Sequence, residues 1–99
     1  MKLYLVHCGF YDESVCEGLF DSHVNFFVVA ESFEHARLKA KQLSDFKNKR
    51  MHIDGLQEIE AVEGYTVNLE VDSALAGCNL IHSFKHRDLA SKPQPVPNL

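Results

Sequence analysis

No stretch of this 99-residue chain approaches the ~18 consecutive apolar residues of a membrane span. Its opening, Met1 to His7, is too short to read as a secretory leader. Cysteine is scarce. Cys8, Cys16 and Cys78 are odd in number and form no Cys-x-x-Cys pair, which argues against a disulfide framework and for a reduced, cytoplasmic protein. Gly-rich phosphate loops, the dinucleotide fingerprint and the Gly-x-Ser-x-Gly elbow are all missing, which removes the common nucleotide and hydrolase classes. The prolines are confined to Pro93, Pro95 and Pro97, a pattern of extended tail without a core of its own.

What is present describes one ordinary globular domain: 45% hydrophobic, 24% charged and 10% aromatic residues. Ten basic against fourteen acidic residues leave a net charge of −4, against the basic excess usual in nucleic-acid binders. The charges are segregated. Arg37, Lys39, Lys41, Lys47, Lys49 and Arg50 share their stretch with one acid, Asp45, while Asp54, Glu58, Glu60, Glu63, Glu70 and Asp72 share theirs with no base. Either the two segments balance each other within the fold, or they form a polarised surface that docks a second copy or an anion.

Apolar residues on both faces of Lys2 to Cys8 predict a central strand, with Gly9 breaking the pattern. Phe10 to Ser22 reads as a long acidic loop with enough apolar residues to pack down. His23 to Ala30 is a second strand, rich in β-branched and aromatic residues. Ser32 is a good N-cap for a helix over Phe33 to Phe46, with Phe33, Ala36, Ala40 and Leu43 on one face. The cap lacks Glu or Gln at the third position, where His35 stands. Met51 to Gly55 reads as a short extended piece closed by an Asp-Gly turn. Leu56 to Val62 and Tyr65 to Val71 then read as hairpin strands around Glu63-Gly64, the second half-buried. The reading is α+β: a small, mainly antiparallel sheet in the order β-β-α-β-β, with one helix on one face. Residues 1–72 form the domain and 73–99 a weakly structured extension. Leu80 to Phe84 is expected to form a fifth short strand or a helical turn.

Four stretches together resemble a small bacterial family catalogued as domain of unknown function 1543. They are Met1 to Val6 running toward a Gly, Phe26 to Ser32 running into a helix, His52-Ile53-Asp54-Gly55, and Val62 to Val67. The resemblance spans roughly residues 1 to 71 and implies an α+β fold; it supplies no activity. That family tends to carry Gly-Gly after the first strand and His-Asp before the second, where this chain has Gly9-Phe10 and Ser22-His23.

The sharpest chemical constellation is His52-x-Asp54, whose side chains share a face if the stretch is extended. It suits either two metal ligands or an imidazole base oriented by a carboxylate, completed by His7, Cys8, His23 or acids from the long loop. The plainer alternative is that Asp54 caps a turn and His52 packs. Cys8 reads either as a nucleophile served by His23 or, more commonly, as a small buried hydrophobe. His82 and His86 have the spacing of a helical metal pair, without the Glu of a zinc protease. Arg37, Lys41, Lys47, Lys49 and Arg50 are the candidate anion-binding set, lacking the interleaved aromatics of a nucleic-acid surface. The expectation is a non-enzymatic interaction domain forming a homodimer, with no cofactor, no membrane and no nucleic acid. The alternative is a small metal-dependent or acid–base enzyme using His52 and Asp54, with His7 and His23 as further metal candidates.

Overall fold

A computed structural model describes residues 1–91. Three strands form the main sheet: β1 (Lys2–Tyr11), β2 (Asp21–Ala30) and β3 (His52–Ile59), in the order β2-β1-β3. Both neighbours run antiparallel to β1, so the first strand is central, as its two apolar faces require. Gly9 does not end it. β1 pairs with β2 along its whole length, from Lys2↔Ala30 to Tyr11↔Asp21, which shortens the expected loop to residues 12–20. That loop is pinned by Asp12, whose Oδ1 accepts from the Ser14 amide and hydroxyl, and it turns through a 3-10 element, Cys16–Gly18. Its apolar residues do not pack down: Val15, Leu19 and Phe20 are exposed.

Two helices, α1 (Phe33–Lys41) and α2 (Ser44–Asn48), replace the single expected one. Ser32 Oγ accepts from the His35 amide, and His35 Nδ1 accepts in return from the Glu31 amide. His35 thus does what a Glu does in a capping box, reaching one residue further back. The break at Leu43 has a packing cause. In an uninterrupted helix Phe46 lies about 600° past Ala40, roughly 120° off the buried stripe. Restarting at an extended Leu43 turns Phe46 into the core.

That core lies between the helices and one face of the sheet, with Tyr4, Val6 and Cys8 of β1 fully enclosed beside Val28, Ala30, Ala36, Ala40, Phe46 and Met51. Phe33, half exposed, closes edge-on against the Tyr4 ring at 5.1 Å. The Tyr4 hydroxyl donates to Glu58, which also pairs with Lys2. Burial pushes the Cys8 thiol up, with the charge of Asp54 adding to it, so the thiolate is disfavoured. Brief alkylation of the native protein is therefore expected to label Cys16 and Cys78, both exposed, and spare Cys8 until denaturant is added. Three labelled thiols by mass spectrometry in the absence of denaturant would contradict this packing.

The Asp54-Gly55 pair is not a turn; β3 continues through it to Ile59. The ladder from β1 closes at Leu3↔Ile59, and the residues that follow pair with each other. β4 (Ala61–Val62) and β5 (Tyr65–Thr66) form a separate two-stranded ribbon, extended by a bond from the Val67 amide to the Glu60 carbonyl. Glu63 and Gly64 both have positive φ, 53° and 83°, as the tight hairpin turn demands. The hairpin is where the sequence puts it, but its second strand stops at Thr66, and Tyr65 and Val71 are exposed rather than half-buried. The order is therefore β-β-α-α-β with an appended ribbon. A 3-10 turn (Ser73–Leu75) and α3 (His86–Ser91) follow, and Leu80 to Phe84 forms neither strand nor helix. Pro93, Pro95 and Pro97 lie outside the described residues.

Candidate functional site

The helices cover one face of the sheet and leave the other open. Alternation puts Leu3, Leu5, His7, Gly9 and Tyr11 of β1 on the open face, opposite Val29, Phe27, Asn25, His23 and Asp21 of β2. The β3 side is set by a bulge. Cys8 pairs with Ile53 and His7 with Gly55, so Asp54 is an extra residue in the ladder. This insertion lets Ile53 and Leu56, three apart, both pack against the core. It also keeps His52 and Asp54 together on the open face.

The result is a cluster drawn from all three strands. Asp54 Oδ2 is 3.2 Å from His23 Nε2, and its other oxygen, Oδ1, is 3.2 Å from His52 Nε2. The His7 and His23 rings stack at 5.0 Å, only 5° from parallel. His7 Nδ1 lies 2.7 Å from Asn25 Oδ1. A carbonyl oxygen only accepts, so this contact selects the neutral tautomer with the proton on Nδ1 and a lone pair on Nε2. Gly9 makes room in the middle: it pairs with His23 on one side and His52 on the other. A Cβ at Gly9 would stand 2.6 Å from His52 Nε2 and 2.8 Å from Asp54 Oδ2. At the rim, a hydrogen bond to Asp21 raises Tyr11, and its hydroxyl stays protonated.

Of the residues singled out from sequence, His7, His23, His52 and Asp54 are thus brought together. Cys8 is not; it points into the core on the opposite face, away from any histidine base. His82 precedes α3 while His86 begins it, so the two do not share a helix face. Arg37, Lys41, Lys47, Lys49 and Arg50 are all exposed, spread over α1, α2 and the link to β3. Lys49 caps the Phe10 ring at 5.0 Å and helps to lower Asp12, whose shift comes chiefly from the two Ser14 hydrogen bonds. Asp12 and Glu13 line the same groove as Lys49 and Arg50, which blunts it as an anion site. Sequence reasoning missed Gly9 and Asn25. Glycine inside an otherwise apolar strand signals a close approach, and that was the available clue; nothing local marks Asn25.

Residues 21–69 match the family described as Domain of Unknown Function (DUF1543). The matched segment carries β2, both core helices, β3 and the hairpin, and with them His23, Asn25, His52 and Asp54. It is narrower than the resemblance read from sequence: β1, with His7 and Gly9, lies before it. No curated protein and no solved structure matches the chain. Among the described residues, no helix is long and apolar enough to cross a membrane.

Proposed function

We propose that this protein is a small interaction domain that associates with a second copy of itself. The observation that carries this reading is the apolar surface beyond β3. Val62, Tyr65, Val71, Leu80, Ile81 and Phe84 are each more than half exposed on a segment that adds no strand to the main sheet. Gly77 to Ile81 stands across an open groove of about 810 Å³ from Leu3, Phe27 and Val29 rather than packing into it.

Charge points to a second copy rather than to an unrelated partner. Among the described residues, the salt bridges are Lys2–Glu58 and the two contacts of Asp54. The basic helices and the acidic arm, with Glu60, Glu63, Glu70 and Asp72, do not pair within one chain. A two-fold arrangement lets each copy's helices meet the other's arm, which is the self-complementarity a symmetric dimer needs. The three free thiols support a reducing, cytoplasmic setting.

Light scattering of tag-free protein is expected to give twice 11.2 kDa at low salt. Ile81→Asp, at an exposed position that leaves the monomer core untouched, is expected to weaken association at least about tenfold. A monomer at the highest soluble concentration overturns the proposal.

A further inference from the structure

We propose that His7, His23 and Asp54 form a binding site for one divalent first-row transition ion on the open face of the sheet. One ligand atom from each of the three lies within 4.8 Å of the others, and this is the one such group among the described residues. In a tetrahedral site with bonds of ~2.0–2.1 Å, neighbouring ligand atoms stand about 3.4 Å apart. His23 Nε2 and Asp54 Oδ2, at 3.2 Å, already have that separation. The remaining contraction asks for side-chain rotation: His7 and His23 lie in the β1–β2 ladder, and Asp54 sits in the bulge between the paired residues Ile53 and Gly55.

Two neighbours prepare the ligands. Asn25 holds the His7 proton on Nδ1, which leaves Nε2 as a ready donor. His52 holds Asp54 Oδ1, leaving Oδ2 on the side of His23. His52 is therefore a positioning residue for the carboxylate, the reverse of the roles its spacing with Asp54 suggests in sequence. The ion takes the place of the proton that His23 Nε2 shares with Asp54, and the neutral imidazole carries its proton on Nδ1 instead. Two imidazoles and a carboxylate favour Zn²⁺, Ni²⁺, Co²⁺ or Fe²⁺ over Mg²⁺ and Ca²⁺, whose preference is for oxygen alone. With the three residues exposed, the remaining coordination positions open to solvent.

Calorimetric titration of the full, tag-free, EDTA-stripped chain with Zn²⁺, Ni²⁺ and Mg²⁺ tests this. One ion per chain is expected for Zn²⁺ and Ni²⁺ and none for Mg²⁺, whether the protein is monomeric or dimeric. Zn²⁺ well above its dissociation constant is expected to raise Tm by several degrees. The double variant His7→Gln/His23→Gln is expected to lose at least tenfold in affinity, and Asn25→Ala about 10- to 100-fold. No binding of either ion, or unchanged binding by the double variant, overturns the site. If a substitution alters the metal-free melt, substoichiometric Ni²⁺ reads the wild-type chain directly. Its paramagnetic broadening must begin at the His7 and His23 ring resonances, and broadening that begins at His82 or His86 overturns the site equally.

Discussion

Val6→Asp is expected to abolish the cooperative melt of this domain, while Phe27→Asp leaves it in place. Val6 is fully enclosed on the helix-covered face of the central strand; Phe27 is half exposed on the other face. A carboxyl group in the most buried sites shifts by up to roughly 3–5 pKa units, or about 4–7 kcal/mol at 1.36 kcal/mol per unit. Losing the buried valine adds about 1.5–3 kcal/mol. Domains of this kind are stable by only ~5–15 kcal/mol, so the first change consumes most or all of the margin. Phe27→Asp removes an apolar side chain from a surface that its own chain does not cover. Circular dichroism melts of the two variants decide the matter. Equal transitions would mean that the two sheet faces are not as differently packed as the structure shows.

That sidedness was legible in the sequence at β1, where Tyr4 and Val6 alternate with Leu3 and Leu5, and both sets are apolar. Alternation identified the strand and its central place; it could not say which face the helices take, because Leu3 and Leu5 look as buriable as Val6. The helix register was legible through Ala36 and Ala40 and failed at Leu43. A periodic stripe was extended there past a point where Phe46 needed a different direction. The hairpin turn was legible because Glu63-Gly64 is a local signal. The end of its second strand was not, since strand length depends on a neighbouring backbone and Tyr65 to Val71 has the same alternation whether or not a neighbour exists.

The site was half legible for a related reason. His52 and Asp54 announce themselves by spacing, but the sequence suggested a turn at Asp54-Gly55. Only the pairing of Cys8 with Ile53 and His7 with Gly55 reveals the extra residue that turns Asp54 toward His23. Bringing His7 and His23 to the same place took no motif at all. Antiparallel pairing of His7 with Asn25 and of Gly9 with His23 makes the two histidines diagonal neighbours on one face, where their rings stack.

Gly9→Ala is the substitution that separates a built cluster from an accidental one. At Gly9 an added Cβ meets the tips of His52 and Asp54 well inside contact distance, so both side chains must swing away while every potential ligand remains in the chain. The atoms met are the ends of flexible, part-exposed side chains, so the melt itself is expected to change little. Because Asp54 is itself a proposed ligand, metal affinity is expected to fall by more than tenfold. Gly55→Ala in the neighbouring strand is the matched control. A Cβ there meets nothing within 4 Å and its φ is not positive, so alanine is expected to stabilise by about 0.4–1 kcal/mol through the unfolded chain. Two denaturant melts and two zinc titrations make the comparison. Wild-type zinc affinity from Gly9→Ala would show that His52 and Asp54 do not lean over the central strand, and the metal proposal would lose its carboxylate. A loss confined to Gly9→Ala would mean that the missing side chain in the middle of β1 is what allows three strands to share one site.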